Sequence, residues 1–204
     1  MRYIPEAVLE ARAAELWRAH ELEPGFDVEE LVDRLGLGLV WEELPDDERG
    51  RALGLLDPND KCVVLNERHL SDLEANGGRL RRFTLGHEIG HWLFHAEAAR
   101  SGTLSLLEDG RVWCRGGSTD PAERQAEMFA ARLLMPADRV REEIPNKPWS
   151  GWRPVYALAD TFVVSVTAMM IRLMELGWAH RDVAGNPISG PAPARGQVQL
   201  FPAE

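Results

Sequence analysis

The sequence predicts an α+β fold, in which a small antiparallel sheet packs against a helical core and a C-terminal helical pair is arranged like a helix-turn-helix. Three observations predict it. Short apolar runs at 37–44, 52–56 and 61–66 have strand length, and the turn-forming stretch Asp57-Pro58-Asn59-Asp60 separates the last two. The run Leu80–His95 (LRRFTLGHEIGHWLFH) is too long and continuous for a strand, holds no proline and is apolar on more than one side, which marks a buried central helix. Residues 153–161 and 166–176 read as two shorter helices joined through Val163-Val164-Ser165, with Ser165 as N-cap and Gly177 just past the end.

The remaining elements follow in chain order. Pro5 suits the first turn of a helix, and Leu9, Ala13, Leu16 and His20 continue one stripe, so residues 5–22 form an amphipathic helix that Glu23-Pro24-Gly25 stops. Asp27 and Glu30 have capping-box spacing, Phe26 and Leu31 can form the hydrophobic staple, and Gly36 suits a C-terminal cap, so a short helix spans 28–35. Residues 96–118 are polar and glycine-bearing, with a strand at 111–115. A second long helix starts at Asp120-Pro121 and runs to Met135-Pro136. From Ala184 onward glycine and proline dominate, which predicts a flexible tail. The expected organisation is an N-terminal helix (1–26), a core (27–146), a helical subdomain packed on it (147–182) and the tail (183–204).

A chain of 204 residues can enclose one well-buried core. No apolar run approaches the ~18 residues a membrane span needs, so no membrane is expected. The N-terminal stretch alternates charge with apolar residues and lacks an apolar h-region, which makes the cytoplasm the expected compartment. Two cysteines, Cys62 and Cys114, are too few for a disulfide framework. A net charge of -10 works against a phosphate backbone. The stretch Ala159 to Ser165 resembles the turn of a DNA-binding motif. Over 150–204, however, Arg153, Arg172, Arg181 and Arg195 are balanced by Asp160, Glu175, Asp182 and Glu204, so no direct nucleic acid contact is expected. Met169, Met170, Leu173, Met174 and Leu176 read as core or as a docking face.

His87 and His91 lie four apart on a helix, so both imidazoles project from one face and can bind one metal ion, with Glu88 beside them to handle a proton. This H-E-x-x-H spacing suits a catalytic zinc, which takes nitrogen or carboxylate ligands and keeps one position open. A third ligand is then required. A histidine ten residues after His87 is ruled out, because Glu97 stands there. His95 is in register, but a straight helix carries it more than about 10 Å from His87, leaving it to cap the helix end or face solvent. The better candidate is Glu123 on the second long helix, where Glu123 and Glu127 put two carboxylates four apart on one face, one able to bind metal and the other to orient a histidine. Asp120 could instead cap that helix with Glu123 as its capping-box partner.

The segments Phe83–His95, Glu123–Pro136 (ERQAEMFAARLLMP) and Leu158–Gly177 together resemble, in order, the three sequence blocks of the ImmA/IrrE family of metallopeptidases. The resemblance implies a zincin-like core and a gluzincin-like site, with Glu123 as third ligand and Glu127 as the acid that hydrogen-bonds a ligand histidine. Members often carry an acid where this chain has Gln125. The family's substrate class implies cleavage of a helix-turn-helix repressor of the Xre type after stress, DNA damage or mobile-element induction. A non-catalytic repressor-binding regulator with a structural metal is the alternative. Zinc is the expected ion, with manganese or iron admitted by the same ligands.

Hydrolysis through an oxyanion usually needs a further donor, for which Tyr156 is the candidate, beside Tyr3, His20 and His180. Cys114 could reach the metal as an inhibitory thiolate. The tail sequence Gln197–Phe201 (QVQLF) resembles the short peptide with which bacterial proteins bind the sliding clamp, and could alternatively lie in the protein's own cleft.

Overall fold

A computed structural model describes residues 4–46, 51–101, 107–108, 111–115 and 120–192. Along the chain these form α1 (Glu6–Ala19), α2 (Val28–Arg34), β1 (Gly38–Glu42), β2 (Ala52–Asp57), β3 (Cys62–Asn66), α3 (Leu70–Arg100), β4 (Leu107–Glu108) and β5 (Arg111–Arg115). Then come α4 (Pro121–Leu134), α5 (Ala137–Glu143), α6 (Arg153–Thr161), α7 (Val166–Glu175), β6 (Ala179–Arg181) and β7 (Pro187–Ser189). The α+β class stands, and the expected caps form. Asp27 accepts from the backbone N–H of Glu29 and Glu30, Asp120 from Ala122, and Ser165 from Ala168. Each satisfies a donor that the first helical turn leaves without an intrahelical partner.

The sheet is mixed, not purely antiparallel. Its order is β1-β3-β2-β5-β4, and β1 pairs with β3 in parallel while the other pairs are antiparallel. The hairpin of β2 and β3 is the one the turn sequence predicts. Its second strand inserts between β1 and β2, which turns β1 parallel to its neighbour. A register shift between Ala52 and Gly54 bends β2 where it passes the central helix.

That helix, α3, begins ten residues before the predicted start and is broken near its N-terminus. Asn76, Gly77 and Gly78 take left-handed φ values of 53°, 72° and 70°, a conformation open to Asn and Gly and costly for other residues. The helix restarts beyond them and carries the H-E-x-x-H segment through the middle of the molecule.

The apolar cores of α1, α2, the sheet, α3, α4, α6 and α7 are continuous, running from Leu9 and Leu31 through Leu56, Ile89 and Phe129 to Phe162 and Met169. Helices α6 and α7 meet at 102°, as in a helix-turn-helix. Met169, Met170 and Leu173 are core, whereas Met174 is exposed. No single described helix is long and apolar enough to cross a membrane.

A polar knot ties α1 to α4 and α7. Glu10 receives Nη2 of buried Arg172 on both carboxylate oxygens, at 2.7 and 2.8 Å, and lies 3.4 Å from Nε of buried Arg132. Arg172 also donates to the carbonyl of Met135, and Arg132 reaches Glu6.

Part of the stretch expected to be a flexible tail from residue 183 is instead regular structure. Residues 179–189 form the β6–β7 hairpin, because Asp182 accepts from the N–H groups of Ala184 and Asn186 and closes a tight turn at Gly185. The hairpin is fastened to residues 149–151 through Trp149, Ser189, Gly151 and Pro187. Residues 193–204, with Gln197–Phe201, lie outside the described residues.

Candidate metal centre

Two glycines on α3 let α4 come close enough to complete the site. A Cβ at Gly90 would sit 3.1 Å from Cα of Ala126, 3.2 Å from Phe129 and 3.3 Å from the Ala126 carbonyl; one at Gly86 would sit 3.4 Å from Cβ of Ala130. Glycines four apart therefore form a notch that receives alanines four apart. His87 and His91 each follow one of these glycines, so the contact that seats α4 also sets how far its first turn lies from the imidazoles. Gly90→Ala is expected to lower stability by about 1–3 kcal/mol, an overpacking cost, and to weaken metal binding. Thermal unfolding and chelator competition would check both.

Across this contact Glu123 reaches both histidines. Nε2 of His91 is 2.9 Å from Oε1 of Glu123, Nε2 of His87 is 3.3 Å from Oε2, and the two Nε2 atoms are 2.9 Å apart. His87, His91 and Glu123 are at most 2% exposed. Among the described residues they form a set whose donor atoms all lie within 4.8 Å of one another. Donors each ~2.1 Å from a tetrahedral zinc stand ~3.4 Å apart, so the spacing and the nitrogen and carboxylate chemistry both fit one ion. Asp120 does cap α4, but Glu123 is not its capping-box partner: its carboxylate faces the histidines.

Burial lowers the His91 pKa to about 4, with Glu123 opposing and His87 reinforcing the shift. The ring is neutral, as a ligand must be. For Glu123 burial acts upward, but the contacts with His87 and His91 outweigh it and hold the carboxyl at about 2. Against ordinary values of 6.5 and 4.5, the unfolded chain binds more protons than the folded one, so both groups make stability rise with pH. In the metal-free protein the His91 contribution is lost as pH falls from 6.5 toward 4, and that of Glu123 from 4.5 toward 2. Urea midpoints at pH 7 and pH 5 should therefore decline on acidification.

Glu88 is fully buried beside the triad. Strand β2 passes it at Gly54, where a Cβ would lie 2.8 Å from the Val64 carbonyl, 3.0 Å from Thr84 and 3.7 Å from Oε1 of Glu88. Only a glycine fits that approach.

Two expectations about neighbouring residues change. His95 neither caps the helix end nor faces solvent: it is buried, with Nδ1 3.0 Å from Nδ1 of His91 and Nε2 3.1 Å from Oε1 of Gln125. It therefore occupies the place expected of Glu127, which is half-buried and makes no hydrogen bond to His87 or His91 among the described residues. Gln125, which stands where the resembled family often carries an acid, meets His95. The four-residue spacing of His91 and His95 was the available signal.

Tyr156 is 53% exposed on α6, with its ring near Trp152. The apolar face of α6 (Val155, Leu158, Ala159) turns inward, which puts Tyr156 on the outer side, and no described contact brings it to the triad. His20 ends α1, and Nδ1 of His180 meets the Gly190 carbonyl. Tyr3 and the Cys114 side chain lie outside the described residues.

Among curated proteins none matches this chain. A Mycobacterium tuberculosis transcriptional regulator of known structure is similar in fold, with a TM-score of 0.55 at 17% identity over 95% of this chain; the chain spans 57% of that regulator's length. The IrrE N-terminal-like domain family, Peptidase_M78, matches residues 37–174. That span holds the mixed sheet, Glu88, the converging His87, His91 and Glu123 and most of the terminal helical pair, and the chain belongs to this family.

Proposed function

We propose that this protein is a zinc-dependent, site-specific endopeptidase of the cytoplasm that cleaves a helix-turn-helix repressor of the Xre type in a stress, DNA-damage or mobile-element response. Family membership supports a peptidase-type enzyme. The observation that carries the reading is the convergence of His87, His91 and Glu123 on one point with Glu88 next to them.

His87, His91 and Glu123 would hold the ion, which when bound supplies Lewis acidity toward a carbonyl and toward water. Glu88 takes a proton from the attacking water as its oxygen bonds to the scissile carbon. It then delivers that proton to the amine nitrogen as the C–N bond breaks, so that one water is consumed and a carboxylic acid and an amine are released. The substrate class follows from the resemblance to the ImmA/IrrE group. Imidazole and carboxylate ligands suit zinc and also accommodate manganese.

The near-complete burial of all four side chains favours one other reading, a repressor-binding regulator with a structural metal. A structural zinc takes four protein ligands, and the set among the described residues has three. Incubating the full chain and its Glu88→Gln variant with an Xre-type repressor, with zinc or manganese, separates them. Cleavage by the wild type alone supports the peptidase; a tight complex without cleavage by either protein supports the regulator.

A further inference from the structure

Through its other ring nitrogen, His91 joins a short chain of buried polar groups. Nδ1 of His91 lies 3.0 Å from Nδ1 of His95, and Nε2 of His95 lies 3.1 Å from Oε1 of Gln125. His95 and Gln125 are 2% and 5% exposed. Two imidazole nitrogens at this distance share one proton, so one is a donor and the other is bare. If His95 were the donor, a neutral His91 would carry its own proton on Nε2. That is the atom facing His87 and Glu123, and it must offer a lone pair to bind an ion. Gln125 decides the direction. An amide oxygen only accepts, so it calls for a proton on Nε2 of His95, which leaves Nδ1 of His95 bare to receive the proton of His91.

We propose that His95 and Gln125 are positioning residues that hold His91 in the tautomer with its proton on Nδ1 and its lone pair on Nε2. This assignment rests on the metal site proposed above. Ligand histidines usually donate their second nitrogen to a carboxylate, a carbonyl or water; here a neutral imidazole and amide relay does that work. It explains why a neutral glutamine suffices at 125, and why Glu127 is not used.

The test compares zinc affinity, by chelator competition on the full chain, across His95→Phe, His95→Asn, Gln125→Leu and Gln125→Glu, with histidine 15N spectra of the zinc-loaded proteins. His95→Phe fills the space without an acceptor, whereas Asn restores an oxygen near the position of Nδ1. The expected result is zinc binding weakened about 10–100-fold by His95→Phe and Gln125→Leu, and largely restored in His95→Asn and Gln125→Glu. Wild-type His95 should be protonated on Nε2 alone. A packing role predicts the opposite ranking, with Phe and Leu better than the polar variants. Gln125→Leu keeps the comparison decisive if His95→Phe fails to fold. Unchanged affinity in all four variants, or a proton on Nδ1 of His95, overturns the relay while leaving the metal site standing. A wild type that holds no zinc removes the site itself.

Discussion

Glu88→Gln should reduce peptide-bond hydrolysis about 10²–10⁴-fold, the contribution of a positioned general acid–base group, while zinc is still bound. The amide preserves the size of the side chain and its ability to form hydrogen bonds, but cannot accept the proton that water gives up on attack. Glu88 is not in the set His87, His91 and Glu123 that could hold an ion, so metal content should be close to that of the wild type. Single-turnover cleavage alongside zinc content by atomic absorption would measure both. Activity kept within a few-fold would mean that another group moves the proton; loss of zinc would mean that Glu88 acts by shaping the site.

Glu10→Ala should destabilise the fold by about 3 kcal/mol, at the low end of the roughly 3–5 kcal/mol seen when one partner of a buried ion pair is removed. The low end applies because the Glu10 side chain is itself 34% exposed. Arg172 is 2% exposed and would lose the carboxylate that receives its guanidinium. Its Nε bond to the Met135 carbonyl would remain. For a chain of this size the loss corresponds to a fall in Tm of about 6–12 °C. Glu10→Gln, which keeps an acceptor, should cost less. Equal effects from Ala and Gln would show that the charge, not the hydrogen bonds, holds the knot together.

The metal-facing side chains were largely legible in the sequence because helical spacing is local: four residues separate His87 from His91 whatever surrounds them. Glu123 was reachable as a candidate, but whether its carboxylate served the helix end or the histidines depended on how α3 and α4 pack. Gly86 and Gly90 reveal their purpose only when paired with Ala126 and Ala130, a match between segments about forty residues apart. A separation of 30 residues likewise hid the role of His95, which meets Gln125 on α4. Local turn chemistry disclosed the β2–β3 hairpin but not the insertion of β3 beside β1. The β6–β7 hairpin was missed because its glycine and proline content, read as composition, outweighed the specific bonds of Asp182. Tyr156 was selected by residue type alone, and the burial of the opposite face of its helix turned it outward.

The bare Cα of Gly54 beside Glu88 belongs to a strand that already has neighbours on both sides, β3 and β5. From Gly54 to Leu56 its main chain is paired on both sides, so there it lends clearance and not an open edge. An extended segment that added a strand to the described sheet would have to do so at a flank, β1 or β4.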